Sequence, residues 1–342
     1  MGEERESHWM PTFANQPPRR NYPAVSAPGA SKARSSSPSA ISPTSSDDEG
    51  SSSGGITNRC SPKAVHNIVS KFSEFKKELV RQIGFGGLLE VPCISKVNLK
   101  LSSWLLSRLD TDESCLVFSE SRRIYLHEKD IGIVFGIPCG DIDVSSAEIS
   151  PEQLVDIRNS CGLSGKDSRS FKSLEYVLQK HVDDKSSRLE LDRFKISFVI
   201  FVMGHLLAPS AKHNHGNCDF WGALKDTEII DRFNWCRYVY SYVMEAAQKA
   251  RHEMLVKGRI TSLSGCHLFL QVLFLDNIDL RTLNKKHTLL PRIKVFDQDS
   301  LRRMTTMCAS RGEDDYLSFT GVSPTGRFTS PSANLELCHA AP

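Results

Sequence analysis

Neither sign of charge dominates this sequence. Lysine and arginine number 43 against 40 aspartates and glutamates, a formal net charge of +3 over 342 residues. No overall basic field of the kind that clamps DNA can therefore carry the function. The ten cysteines, spread from Cys60 to Cys338, contain no CxxC pair. Such spacing excludes a small stapled scaffold, and the thiols are expected to be reduced and mostly buried in a nuclear or cytosolic chain. Long hydrophobic runs are lacking too. The longest, Ile196 to Leu207, is too short to span a bilayer and reads as a core helix. The opening MGEERESHWMP is acidic and polar, unlike a secretory or transit segment, and Glu6 stands where myristoylation wants Ser or Thr. HExxH, HxE with PCxxC, and Gly-Lys-Ser/Thr are all missing, and with them the usual signatures of zinc enzymes and phosphate loops.

What is present divides into three parts. Residues 1–62 are rich in Ser, Pro and Gly and poor in large apolar residues. They are expected to be disordered, because too little surface can be buried to offset the entropy of ordering. Ser37-Pro38 and Ser42-Pro43 lie here, and Ser45 and Ser46 precede Asp47, Asp48 and Glu49, the setting that acid-directed kinases favour. The tail beyond residue 310 likewise loses apolar periodicity and is expected to be disordered.

Residues 63–310 are the foldable domain, with a sub-boundary expected near 140–150. From Pro62 to Ile83 one helical stripe is predicted: Ile68, Phe72, Phe75, Leu79 and Ile83 recur at three- and four-residue steps. Gly84 should end it, and the GFGG that follows reads as a turn. A helix is expected over 97–109, with Leu101, Trp104, Leu105 and Leu109 inward. Short strands are expected at 115–118 and 123–126. A short helix burying Ile131, Val134 and Phe135 should stop at Gly136, with Pro138 forbidding its continuation. Further helices are predicted over 151–159 behind Ser150, over 173–181, and over 190–207 as a central element apolar all round in its second half. Thr227 is predicted to cap the longest helix, to Lys257, with Ile229, Phe233, Cys236, Val239, Val243, Ala247 and Met254 inward and Gly258 closing it. Residues 265–275 read as a buried helix, with a central strand as the alternative. The fold class is thus mainly α, a multi-helix domain with a few short strands near 115–126.

HLLAPSAKHNHGNCDFWG, from His205 to Gly222, carries the candidate metal ligands. His213, His215 and Cys218 offer nitrogen and sulfur donors, and His205 or the Cys266-His267 pair could supply a fourth. A structural zinc site normally uses two tight ligand pairs, and one is visible here. The favoured expectation is a loop between two core helices without metal or cofactor, Phe220 and Trp221 anchoring its far end. His205 is expected to be a core histidine bonded to backbone. Lys285, Lys286, Arg292, Lys294, Arg302 and Arg303 suggest one modest basic region, or else scattered solvated charge.

Leu126-x-x-x-Asp130-Ile131, the apolar Ile133-Val134-Phe135 and Gly136-Ile137-Pro138-x-Gly140 resemble the plant mobile domain, a family labelled "aminotransferase-like" and found in plant transposable elements and genes derived from them. The downstream blocks FKISFVIFVMGHLLAPSAKHNHGNCDFWGAL, FNWCRYV, GCHLFLQVLFLDNIDL and LPRIKVFD are similar to a set of uncharacterised grass proteins. Many relatives of that set carry a C-terminal SUMO-protease-type domain, and none is expected within these 342 residues. The resemblance implies a mainly helical domain of transposon origin and supplies no catalytic residues. A pyridoxal phosphate site is not expected, since no glycine-rich phosphate loop with a credible lysine appears. The function expected is a non-catalytic, nuclear interaction module binding protein or chromatin, with nucleic acid as a possible partner and no membrane. The alternative is a metal-dependent enzyme or zinc-stabilised domain using residues 205–218.

Overall fold

The computed structural model describes residues 55–163, 171–210 and 219–311, with the short pair 317–318. Expectations for residues 1–54, and for the C-terminal tail at 312–316 and beyond 318, lie outside the described residues. The disorder expected up to residue 62 is corrected over its last residues, where Thr57 donates its N–H to the Thr261 carbonyl and Pro62 opens a helix. The protein is mainly α, with ten helices and one three-stranded sheet in the described core.

The stripe over 62–83 becomes two helices, α1 (Pro62–Val69) and α2 (Glu74–Gln82), which corrects the single helix expected. The break is local chemistry. Ser61 and Ser73 each turn a hydroxyl onto a backbone N–H of the next turn, at Ala64 and Lys76. Phe72, in the break, packs edge-on against Phe194. Ile68, Leu79 and Ile83 are still buried, so the apolar spacing reported the buried face correctly across the interruption.

Gly84 takes φ +80° and ends α2. The glycines after it serve close packing. Gly87 N–H donates to the Gly136 carbonyl at 3.2 Å, and a side chain on Gly87 would collide with the Phe135 carbonyl. Asn98 caps α3 (Leu99–Arg108), which buries Leu101 and Leu105. The chain then enters β1 (Leu109–Asp110), β2 (Cys115–Ser119) and β3 (Arg122–Tyr125), antiparallel in that order. Leu116 opposes Ile124, and both are buried. In α4 (Glu128–Phe135) Asp130 closes a capping box with His127, and Ile131, Val134 and Phe135 face inward. Gly136, at φ +60°, terminates it as expected.

Ser150 caps α5 (Pro151–Ser160) with a reciprocal Gln153 bond. Next come α6 (Lys172–Gln179) and α7 (Arg188–Val202). From Phe194 to Val202 every residue of α7 is buried, and the helix widens into a π turn over Met203–Leu207. The longest helix, α8 (Trp235–Lys257), starts later than expected. Asn234 is its cap; Thr227 instead donates its hydroxyl to Asp192. Ile229 and Phe233 precede it around a 3-10 turn, Ile230–Arg232. Gly258 closes it at φ +68°. Cys236, Val239, Val243 and Ala247 are buried, whereas Met254 is 39% exposed, a correction to its inward assignment. The apolar segment near 265–275 is a helix, α9 (His267–Asp276), with all ten residues buried; α10 (Gln298–Cys308) follows. One continuous buried cluster runs from Cys60 to Cys308.

Two cysteines depart from the expectation of free thiols. Cys139, after α4, and Cys236, in the first turn of α8, form a disulfide. Gly132 makes room for it: a Cβ there would lie 3.1 and 3.2 Å from the two sulfurs.

Candidate functional site

The histidine segment was the first candidate. His213, His215 and Cys218 lie outside the described residues. His205 sits in the π turn that ends α7, its ring between Phe171 and Phe201 at centroid distances of 4.8 and 4.5 Å. Its Nε2 is buried and has no hydrogen-bond partner among the described residues, so the expected bond from this ring to backbone is corrected at that nitrogen. The main chain of the same residue is used, its carbonyl accepting the Ser61 N–H at 2.7 Å. Burial lowers the His205 pKa to about 4, which leaves a neutral ring in an aromatic slot. Among the described residues no group of three or more His, Cys, Asp or Glu is placed to hold a metal ion. Cys266 and His267 diverge in role: Cys266 is a buried thiol whose pKa burial pushes far up, and His267 belongs to a hydrogen-bonded chain.

That chain was not foreseen, and its residue types are those of a hydrolase. Ser102 on α3 lies 2.8 Å from His267 Nδ1, and Asn58 Oδ1 lies 2.8 Å from His267 Nε2. The amide oxygen can only accept, which places the ring proton on Nε2 and leaves Nδ1 to accept from the serine hydroxyl. Gln271, one turn along α9, donates to Ser102 Oγ and to the Asn98 carbonyl. Ser102 is 0% and His267 1% exposed. Burial holds the ring at a pKa of about 4, so it remains neutral at ordinary pH. A serine that a substrate cannot reach, already donating to one partner and accepting from another, is a structural bond joining α3, α9 and the strand-like entry at Asn58. The four residues are 58, 102, 267 and 271; no spacing in the sequence joins them, so only the fold could bring them together.

Of the cations that suggested either one basic region or scattered solvated charge, Arg292 leaves the surface. Arg292 is 2% exposed and makes a two-pronged ion pair with Asp276, Nη2 to Oδ1 at 2.7 Å and Nε to Oδ2 at 2.8 Å. Its Nη1 donates to the carbonyls of Lys286 and Leu289. It therefore presents no charge to a partner. Lys285 is bonded to Ser300 Oγ.

At the surface, the clearest feature is the outer end of α8. The helix is about 35 Å long by its residue count. Its buried face ends at Ala250 and Glu253, and Met254, Leu255 and Val256 follow at 39, 81 and 67% exposure. Glu253 steadies this end. Burial alone would raise its pKa, but bonds from the Thr261 N–H and hydroxyl and the charge of Lys257 lower it to about 2. Consecutive apolar residues beyond a helix's buried stripe are the sequence signal for such a surface. The predicted inward place of Met254 hid it.

No helix among the described residues is long and apolar enough to cross a membrane. No curated protein and no solved structure matches the chain. The model of a domain of unknown function, DUF8566, matches residues 58–271, from the asparagine that holds His267 to the glutamine that holds Ser102. That span is more than half of the sequence, and the chain belongs to the DUF8566 family.

Proposed function

We propose that this protein is a non-catalytic interaction module of transposon ancestry, acting in the nucleus on a protein or chromatin partner. The observation that carries the reading is the outer end of α8. Leu255 and Val256 are held in water by a rigid helix, where exposed apolar side chains in sequence mark a contact surface. The enclosed state of Ser102, His267 and Asn58 supports the non-catalytic half, since the residues that most resemble a hydrolase are spent on packing. The likeness of residues 126–140 to the plant mobile domain supports the ancestry.

The test compares wild-type chain with a Leu255→Glu, Val256→Glu double variant, both as bait in plant nuclear extract. Surface changes at these positions should shift stability by about 0.5 kcal/mol or less each. One partner recovered by the wild type and lost by the variant, at equal melting temperature, is the expected result. Identical recovery by both would remove the surface from consideration. Elemental analysis of protein purified without a metal-binding tag addresses the metal reading. Stoichiometric zinc that vanishes when His213, His215 and Cys218 are all changed to Ala would replace this proposal with a zinc-stabilised domain.

A further inference from the structure

The described cysteines are not alike. Cys60, Cys115, Cys161, Cys266 and Cys308 are free thiols closed inside the core. Burial pushes Cys60 and Cys308 up to about 12, so neither supplies a thiolate at ordinary pH. Cys93 is a free thiol at the surface. Cys139 and Cys236 are bonded to each other, and their bond is lopsided: Cys139 is exposed, whereas Cys236 is 0% exposed. A thiolate arriving from solvent therefore meets the Cys139 sulfur. On the side of Gly132 no side chain covers the bond, since an added Cβ there would stand 3.1 and 3.2 Å from the two sulfurs.

The two sulfurs also sit on different backbone. Cys139 lies on an irregular strap, residues 138–142. Cys236 lies in the first turn of α8, a helix of 23 residues whose positive end favours a thiolate over a thiol. Opening the bond does not free the strap. The Gly140 N–H donates to the Phe233 carbonyl at 3.2 Å, and the Ile142 N–H to the Arg232 carbonyl at 3.1 Å. The Asn234 N–H donates to the Ile142 carbonyl at 2.7 Å, and the Cys236 N–H to the Pro138 carbonyl at 3.2 Å. These backbone bonds keep the sulfurs neighbours in either state, so an opened pair can close again.

We propose that the Cys139–Cys236 bond is a thiol-exchange site, at which Cys139 takes up a small thiol of the glutathione class as a mixed disulfide and Cys236 removes it. The incoming thiolate attacks Cys139 Sγ. A new S–S bond forms as the Cys139–Cys236 bond breaks, and the electron pair leaves with Cys236. Cys236 then takes up a proton, and its S–H donates to the Ile137 carbonyl, 3.5 Å away. In the return step the Cys236 thiolate attacks Cys139 Sγ and expels the small thiolate, which restores the original bond. Each step exchanges one disulfide for another, so neither needs a further oxidant or reductant. Such a mixed disulfide is a reversible cap on an exposed sulfur. This inference stands apart from the role given to the outer end of α8.

The test uses the full chain. Reduced wild type, Cys236→Ser and Cys139→Ser are incubated with glutathione disulfide, and adducts are located by peptide mass mapping. Cys93, an exposed thiol with no bonded partner, is the internal reference. In Cys236→Ser the Cys139 adduct should persist, at an occupancy at least tenfold above that in wild type, where Cys236 removes it. The Cys93 adduct should be equal in all three chains. In Cys139→Ser, Cys236 should carry at least tenfold less adduct than Cys93. A second measurement needs no variant and keeps the test open if a serine chain fails to fold. Oxidised wild type exposed briefly to reduced glutathione, then quenched with acid, should carry glutathione on Cys139 and a free thiol at Cys236. Equal Cys139 occupancy in wild type and Cys236→Ser would overturn the return step. Glutathione trapped on Cys236 instead of Cys139, or a Cys139–Cys236 bond untouched by reduced glutathione, would overturn the site.

Discussion

Arg292 and Asp276 form a closed pair in which every guanidinium nitrogen has an acceptor. Deleting one member strands the other charge in a site only a few per cent exposed. Arg292→Ala should therefore cost about 3–5 kcal/mol by urea unfolding, whereas an apolar pair at both positions should recover much of the loss. The buried histidines give a second prediction at this scale. Burial lowers His205 and His267 to about 4, so both are neutral in the folded chain and take up protons on unfolding below about 6.5. Their contribution is complete above about 6.5 and is lost as pH falls toward 4. Asp130 acts in the opposite sense. Burial raises it to about 6, so the folded chain keeps a proton that the unfolded chain releases, and that contribution is lost as pH rises through 6. Between about pH 6 and 4.5 two histidine protons oppose one aspartate proton. Carboxylates held low in the folded chain, Glu253 among them, add to the loss near the acid end, so stability should fall with decreasing pH. In His205→Phe the slope should be shallower by about one proton. An unchanged slope in that variant would show that His205 does not titrate as stated.

At the scale of elements, α7 shows how a short apolar run becomes an organising helix. Its second half has no polar face, so neighbours must enclose it, and Phe194, Phe198 and Phe201 are each within 1% of full burial. Phe198→Ala and Phe201→Ala should each cost about 3–5 kcal/mol in denaturant unfolding. Losses below about 1 kcal/mol at both positions would place the helix at the periphery. The π turn that follows adds a residue to the spiral and swings His205 toward Phe171, so the helix end and the start of α6 meet through two rings.

Across the whole molecule, the Cys139–Cys236 bond ties the segment after α4 to the start of α8, 97 residues apart in sequence. In the chain-entropy account a closed loop of about that size contributes about 4–5 kcal/mol by restricting the unfolded chain. Reduction should therefore lower the melting temperature without loss of helicity, and thiol titration of denatured chain should find two more thiols after reduction than before. Equal thiol counts would show that the two sulfurs are not bonded.

Periodicity and capping chemistry decided the helices before any fold was known. A stripe at three- and four-residue steps reports a buried face, and Ser150 or Gly136 marks an end because each satisfies a local backbone requirement. The break at Ser70–Ser73 escaped that reading, since the stripe keeps its phase through the turn and a capping serine also sits comfortably on a solvated helix face. The start of α8 escaped it too, because Thr227 finds a better acceptor in Asp192, 35 residues away. The Ser102–His267–Asn58 chain and the Arg292–Asp276 pair were settled by tertiary structure alone. Each joins side chains from separate elements, and a side chain's charge or hydrogen bond becomes internal or available only when distant backbone closes over it or leaves it open. Sequence thus determined which residues must be buried; the packing of α3, α7, α8 and α9 determined which polar groups went in with them.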